Sequence, residues 1–271
     1  MTFVLADNFA DVGLVRGKDG VLHVLWGNGS GSAPSAIFDT PISARGVVGR
    51  TARIVGNVYT SFPDAAATST GLAAFWNSTG RSPTGTPAGT FSATRPRGGG
   101  SWHLSSSVAA APSTGWDFSV SAAAGHDGKP WVAFGYSGDT DLAVLHYGHP
   151  EQAFAQPSCC VLDEGIGVDS RSGATWLTYF SDQTGHTGSI LAADPYGRLW
   201  VAWYRPLALF VRRAAAGASR FGAERRVPLP RGTTDLWKAY ISAQAGRLDI
   251  VALLTVRGKL AFWTTQVLPP R

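Results

Sequence analysis

The chain has 271 residues, of which 44% are hydrophobic and 15% charged, with 33 Gly, 16 Pro and ten Trp. This composition favours many short strands joined by turns over a helical fold. No apolar run of about 18 residues is present, so we expect no membrane-spanning helix and no membrane partner. The formal net charge is +5, but basic residues are not interleaved with aromatic ones, so we expect no nucleic-acid partner.

A short sequence motif recurs: a turn glycine, two spacer residues, and an apolar run that ends in an aromatic residue. Clear copies span residues 19–26, 127–134, 172–179 and 196–203, and looser copies span 71–76 and 246–251. Each copy is typical of a β-hairpin turn followed by a half-buried strand. Repetition at roughly 40 to 50 residues indicates a β-propeller, because a four-stranded blade cannot bury its faces alone. We therefore predict an all-β fold with one β-propeller domain over residues 1–271.

The strands of the predicted blades follow one another along the chain. Blades one and two are predicted over residues 12–16, 21–26, 36–38, 51–55, 65–68, 72–76, 90–93 and 101–105. Blade three and the last blade are predicted over residues 118–122, 131–136, 142–147, 239–243, 248–254 and 260–267. The last blade lacks an outer strand, and we expect residues 2–6 to fill it and close the ring. Residues 78–100 are rich in Gly, Pro, Ser and Thr, which predicts a flexible loop within blade two.

The number of blades depends on one irregular spacing. The hairpin glycines fall at positions 20, 71, 128, 173, 197 and 246, and the step from 173 to 197 is only 24 residues. A segment of 24 residues is too short to contain the four strands of a blade. Either Gly173 and Gly197 belong to one merged blade, which gives the favoured count of five, or the fourth blade of six is truncated.

The hairpin motif also points to a family. The Asp-Gly-x-x-Trp-Val-Ala-Trp spacing, the stretch at 194–203, the arginines at 212–213 and the ending at 265–269 resemble bacterial sialidase-like propellers of the BNR type. The motifs are structural rather than catalytic. The best match to a sialidase Asp box, at 169–176, has Arg171 where the aspartate belongs, and no Phe-Arg-Ile-Pro phrase is present. We therefore expect no classical sialidase activity.

Acidic residues precede several first strands of blades. They are Asp11, Asp64, Asp117 and Glu164, and Lys238 takes the corresponding place in the last blade. In equivalent blades these groups would meet at one channel mouth, where carboxylates bind a cation, pair with a basic group or hold a proton. By analogy with five-bladed glycosidases, Asp11 would be the general base, Asp117 the modulator and Glu164 the general acid. The structural alternative is that each acid accepts backbone hydrogen bonds in a turn.

Two functions from different classes follow from this arrangement. In the first, the channel mouth binds a glycan, with Ca²⁺ as a candidate cofactor, Asp64 and Lys238 as ligands and Trp116 and Tyr59 as aromatic platforms. In the second, the carboxylates cleave a glycosidic bond as a non-sialidase hydrolase or lyase. A protein-interaction scaffold is a third alternative, with its acids satisfied by backbone and arginine.

The cysteines and arginines add two further expectations. Cys159 and Cys160 are the only cysteines and are adjacent, so in an oxidising compartment they could form a vicinal disulfide that stacks on a ligand; buried thiols are the alternative. An arginine cluster suits an anionic polysaccharide, or else a solvated blade edge: Arg212, Arg213, Arg220, Arg225, Arg226 and Arg231. We expect a secreted monomer whose export signal has been removed.

Overall fold

The strands of this protein pair with their sequence neighbours in antiparallel sheets, as seen in a computed structural model. The structure describes residues 2–3, 9–28, 35–58, 63–79, 88–105, 120–124, 127–136, 141–146, 152–155, 161–168, 175–180, 188–196, 198–205, 207–216 and 220–269. In these residues there is no helix, and hence none that could span a membrane.

The strands are numbered in chain order. Those up to residue 155 are β1 (Thr2–Phe3), β2 (Phe9–Arg16), β3 (Leu22–Asn28), β4 (Ser35–Ile42), β5 (Ala52–Val58), β6 (Asp64–Ala67), β7 (Gly71–Thr79), β8 (Ala88–Pro96), β9 (His103–Leu104), β10 (Val120–Ala124), β11 (Pro130–Tyr136), β12 (Asp141–His146) and β13 (Gln152–Ala155). The others are β14 (Val161–Val168), β15 (Thr175–Phe180), β16 (Gly188–Ala193), β17 (Arg198–Arg205), β18 (Ala208–Ala216), β19 (Arg225–Val227), β20 (Thr233–Gln244), β21 (Arg247–Val256) and β22 (Lys259–Val267).

These strands form a series of small sheets, each of which follows the last along the chain. Four consecutive strands make each of the sheets β2–β5, β6–β9, β10–β13 and β16–β19, and β14–β15 form a two-stranded sheet among the described residues. This order, with every strand antiparallel to the next, is that of propeller blades. The predicted all-β propeller fold is therefore confirmed.

The remaining sheet closes with the first strand of the chain. Its order is β1-β22-β21-β20, so β1 occupies the outer position, with Thr2 opposite Trp263 and Phe3 opposite Phe262. The prediction that the N-terminal strand fills the last blade is confirmed for residues 2–3.

The short spacing between the fourth and fifth hairpins has a structural counterpart. Strands β14 and β15 pair only with each other in the described residues, whereas the hairpin β16–β17 belongs to the next, four-stranded sheet. The two hairpins therefore lie in different sheets, as in the alternative with a truncated fourth blade. The number of blades in the ring stays a prediction.

The strand predicted at 90–93 of blade two is present and is longer than predicted, and residues 80–87 of the predicted loop lie outside the described residues. Residues 88–96 form β8, which pairs with β7 from Gly71 opposite Pro96 to Thr79 opposite Ala88. Side chains at Thr90, Ser92 and Ala93 are buried, so this polar, small-residue segment packs in the sheet despite its loop-like composition.

The chain divides into two compact units, residues 1–7 with 157–271 and residues 8–156. We call them the C-terminal unit and the N-terminal unit. The core of the N-terminal unit joins the sheets β2–β5 and β6–β9 through buried residues such as Leu25, Ile37 and Trp76. The core of the C-terminal unit joins β16–β19 to β20–β22 through Trp200, Leu209 and Leu248 among others.

A buried carboxylate ties two sheets together within the N-terminal unit. The side chain of Asp39, on β4, is fully buried and lies 2.9 and 3.0 Å from Nδ1 of His23 on β3. Arg95 of β8 donates from Nη1 to Oδ2 of Asp39 at 2.8 Å, and Trp102 donates to the same oxygen at 3.0 Å. Since Arg95 and Trp102 belong to the neighbouring sheet region, this group, which we call the Asp39 clamp, crosses between sheets.

A second buried carboxylate fixes a hairpin turn in the C-terminal unit. Oδ1 of Asp194 accepts the backbone N–H groups of Tyr196 and Arg198, and Oδ2 accepts a bond from Arg213 at 2.8 Å. The Arg213 guanidinium also lies 5.1 Å from the centre of the Trp200 ring. Arg213, one of the clustered arginines, therefore has a structural role in this turn.

We expect Asp39→Asn to lower the free energy of unfolding by about 3 kcal/mol or more, because it leaves Arg95 without its buried anion and turns an NH₂ group toward other donors. Urea unfolding followed by circular dichroism measures this change. Asp19→Asn is the matched control, since Asp19 is exposed and its Oδ1 accepts one local backbone bond from Val21. Equal midpoints for both variants would contradict the role given to the Asp39 clamp.

Candidate functional site

Beta-bulges occur beside or at two of the predicted catalytic acids, Asp11 and Glu164. On β2 the pairing slips between Phe9 and Asp11, so Asp11 follows an unpaired residue at the start of the first strand of its sheet. On β14 the pairing slips between Asp163 and Ile166, and Glu164 lies in the unpaired stretch. A bulge bends its strand and redirects side chains, and bulges are over-represented next to active sites.

A third first strand, β20, has the same irregularity at its N-terminal half. Leu236 pairs with Leu254 and Lys238 pairs with Leu253, which leaves Trp237 as the extra residue. The bulge changes the alternation of the strand, because Leu236 and Ala239 are both buried although they are three positions apart. Trp237 is thereby turned away from the core that holds its neighbours.

Trp237 presents its ring to solvent in a fixed orientation. The residue is 58% exposed, which is unusual for so large an apolar side chain, and its Nε1 donates to Oγ1 of Thr255 on β21 at 2.8 Å. This bond uses the only polar atom of the indole and restrains the ring. An exposed, restrained aromatic surface is suited to stacking against the C–H face of a sugar ring.

Lys238, predicted as a ligand-binding residue, follows Trp237 directly. Its Nζ lies 5.6 Å from the centre of the Tyr240 ring, within the range of a cation–π contact. The side chain is half-buried rather than fully extended into water. Trp237 and Lys238 thus place an apolar platform and a cationic side chain next to each other on one strand.

Asp64 occupies a structural position at the start of β6. The residue is 8% exposed, and its Oδ1 and Oδ2 accept the backbone N–H groups of Ala65 and Ala122, each at 2.8 Å. Ala122 lies on β10, so the carboxylate joins two neighbouring sheets of the N-terminal unit. This is the backbone-capping role that the sequence analysis weighed for each acid, and a ligand-binding role for Asp64 stays a prediction.

The approach of β2 to this position requires a glycine. A Cβ atom on Gly13 would lie 2.5 Å from the carbonyl oxygen of Pro63 and 2.6 Å from Cα of Asp64, both of them backbone atoms. A side chain would therefore force the two strands apart. Gly13 lets the first strands of adjacent sheets come together, as blades must near the axis of a propeller.

We expect Gly13→Ala to destabilise the protein by about 1–3 kcal/mol, because backbone must move to make room for the methyl group. Thermal or urea unfolding measures the change. Gly222→Ala is the control, since a Cβ there would meet its nearest neighbour, the carbonyl oxygen of Arg213, at 3.4 Å. If both variants unfold at the wild-type midpoint, the close approach at Asp64 does not constrain the fold.

Several predicted site residues lie outside the described residues: Tyr59, Trp116, Asp117, Cys159 and Cys160. Of Asp11 and Glu164 the structure describes the backbone. Among the described residues, no group of three or more His, Cys, Asp or Glu side chains is placed to hold a metal ion. The roles of these residues, the vicinal disulfide and a Ca²⁺ site stay predictions.

Two features of the described structure were not predicted from the sequence. Trp237 precedes Lys238 as Trp116 precedes Asp117, and that parallel is the signal in the sequence that points to Trp237. The Asp39 clamp was missed because its other members lie 16 to 63 residues from Asp39 in sequence. No local motif connects residues that far apart.

Solved structures to which this chain is similar include three enzymes. The GH43_1 enzyme from Xanthomonas citri, complexed with xylotriose, aligns at a TM-score of 0.57 and 12% identity over 98% of this chain and 90% of its own. The endo-arabinase from Bacteroides thetaiotaomicron aligns at 0.54 and 14% identity over 98% and 96%. The exo-β-1,3-galactanase from Phanerochaete chrysosporium, with β-1,3-galactotriose, aligns at 0.58 and 10% identity over 98% and 64%.

The chain is a β-propeller. Identities of this size show the fold alone, and no family model and no curated protein matches the sequence. The predicted resemblance to sialidase-like propellers of the BNR type is not supported, because the similar structures reported above are of other kinds. The hairpin motifs that suggested it are turn-and-strand patterns, which propeller blades share whatever their activity.

Proposed function

We propose that this β-propeller binds a glycan at the N-terminal half of β20, the first strand of its sheet. The observation that carries the proposal is Trp237, a restrained indole that is 58% exposed and is the extra residue of a bulge. Lys238 beside it would hold a hydroxyl or an acidic group of the same ligand. The similarity to proteins solved with xylotriose and with β-1,3-galactotriose supports a polysaccharide ligand.

Hydrolysis is the second candidate, favoured by the bulges at Asp11 and Glu164. In this reading Glu164 protonates the leaving oxygen of the glycosidic bond, Asp11 acts as the base, and Asp117 tunes them. The assignment of these roles rests on sequence position and on the place of Asp11 and Glu164 at irregular points of their strands.

We expect Trp237→Ala to weaken oligosaccharide binding about tenfold or more, because a central aromatic contact in a binding site is worth at least about 1.4 kcal/mol. Trp237→Phe should keep part of the affinity. Calorimetric titration with xylo-, arabino- and galacto-oligosaccharides measures the affinity of each variant. Tyr196→Ala is the control, since Tyr196 is 48% exposed in the β16–β17 turn of the same unit. Equal affinity for wild type and Trp237→Ala would overturn the proposed platform.

A second experiment separates binding from cleavage. The purified protein is incubated with the same polysaccharides, and the products are read by mass spectrometry. If shorter fragments form, Asp11→Asn and Glu164→Gln should each lower the rate by about 10²–10⁴-fold with little change in binding, as expected for general acid–base groups. Binding without fragments would leave a carbohydrate-binding module, and fragments that form equally fast with both variants would reject the assigned acids.

A further inference from the structure

A cavity lies at the opposite end of β2 from Asp11. Its volume is about 190 Å³, and it is lined by the β2–β3 turn from Gly17 to Val21, by His23 and Thr68, and by residues 95–99. At about 3.3 Å per residue, Asp11 and Gly17 are separated by roughly 20 Å along the strand. This space, which we call the turn cavity, is therefore distinct from the bulges and lies wholly within the N-terminal unit.

Positive charges outnumber negative ones among the residues that line the turn cavity. Lys18, Arg95 and Arg97 line it, against the single carboxylate of Asp19, one oxygen of which accepts the N–H of Val21. Arg95 uses Nη1 for Asp39 and Nε for the carbonyl of Gly100, and its Nη2 has no bond to a described residue. The side chains of Lys18 and Arg97 have none either. An anionic group in the cavity would meet donors from three residues.

A hydrogen-bond acceptor completes the wall. A carboxylate only accepts, so the contacts of Asp39 require a hydrogen on Nδ1 of His23. Arg95 Nη1, 3.2 Å from the same nitrogen, is also a donor and cannot bond to it. In the neutral imidazole Nε2 then carries a lone pair, and it has no hydrogen bond to a described residue, although His23 is only 4% exposed. The clamp thus presents an unpartnered acceptor beside the cationic side chains.

We infer that the turn cavity binds a hydroxycarboxylate. The carboxylate is held by Lys18, Arg97 and Nη2 of Arg95, and a neighbouring hydroxyl donates to Nε2 of His23. A uronic-acid unit carries both groups. Pockets for drug-sized ligands measure about 300–1,000 Å³, so a cavity of this size accommodates one such unit rather than an oligosaccharide. This inference does not depend on glycan binding at Trp237.

The test is a titration of the full chain, followed by nuclear magnetic resonance of ¹⁵N-labelled histidine. Glucuronate should bind and move the Nε2 resonance of His23. Glucose lacks the carboxylate and sulfate lacks the hydroxyl donor, so each should bind more weakly than glucuronate. Glycolate, the smallest hydroxycarboxylate, distinguishes the sources: binding as tight as glucuronate would identify a free hydroxy acid, and weaker binding a sugar acid.

Variants of the exposed cations give the affinity readout. Arg97→Ala and Lys18→Ala should each weaken glucuronate binding by on the order of tenfold, as for one charge-assisted hydrogen bond. Arg45→Ala is the matched control, because Arg45 is exposed in the β4–β5 connection and does not line the cavity. His23 itself is left unchanged, since its loss would also break the Asp39 clamp. The inference is overturned if glucuronate does not bind, if sulfate binds equally well, or if His23 Nε2 does not respond.

Discussion

A four-stranded sheet cannot cover both of its faces, and this constraint shapes each unit of the structure. Each sheet has only two to four strands among the described residues, so stability depends on the contacts between neighbouring sheets. In the N-terminal unit these contacts are partly apolar, as at Leu25 and Ile37, and partly ionic, through Asp39. A buried ion pair need not exceed a hydrophobic contact in energy, but its several bonds accept few alternative geometries. It therefore helps to fix how the two sheets are aligned.

Two groups of acidic residues occupy different positions in the described strands and turns. Asp39, Asp64 and Asp194 are buried, and each accepts bonds from backbone or side-chain donors that hold turns or neighbouring strands. The backbones of Asp11 and Glu164 lie at or beside irregular points in the pairing of first strands. The hydrogen bonds of Asp39, Asp64 and Asp194 explain why a protein with few charged residues has acidic side chains in its interior. The second group is where we place the chemistry.

A structural feature can be predicted from the sequence when the residues that form it lie close together along the chain. Turn glycines and alternating strands are local, so the hairpins and the all-β propeller could be predicted, and so could the place of Thr2 and Phe3 beside β22. Residues 88–96 show the limit, since the strand predicted at 90–93 is present, but composition did not indicate that it extends over nine residues. The bulge at Trp237 and the clamp at Asp39 depend on register and on contacts between sheets, which no local pattern encodes.

The pairing of β1 with β22 has a consequence for handling the protein. Among the described residues, Thr2 and Phe3 are those that pair with the outer edge of β22, opposite Trp263 and Phe262. Without them, the backbone donors and acceptors along β22 would form an open sheet edge, which is a template for pairing with another copy. A tag or a deletion at the first residues would thus act on solubility before it acted on any binding site, and a short N-terminal truncation is a route to domain-swapped or aggregated material.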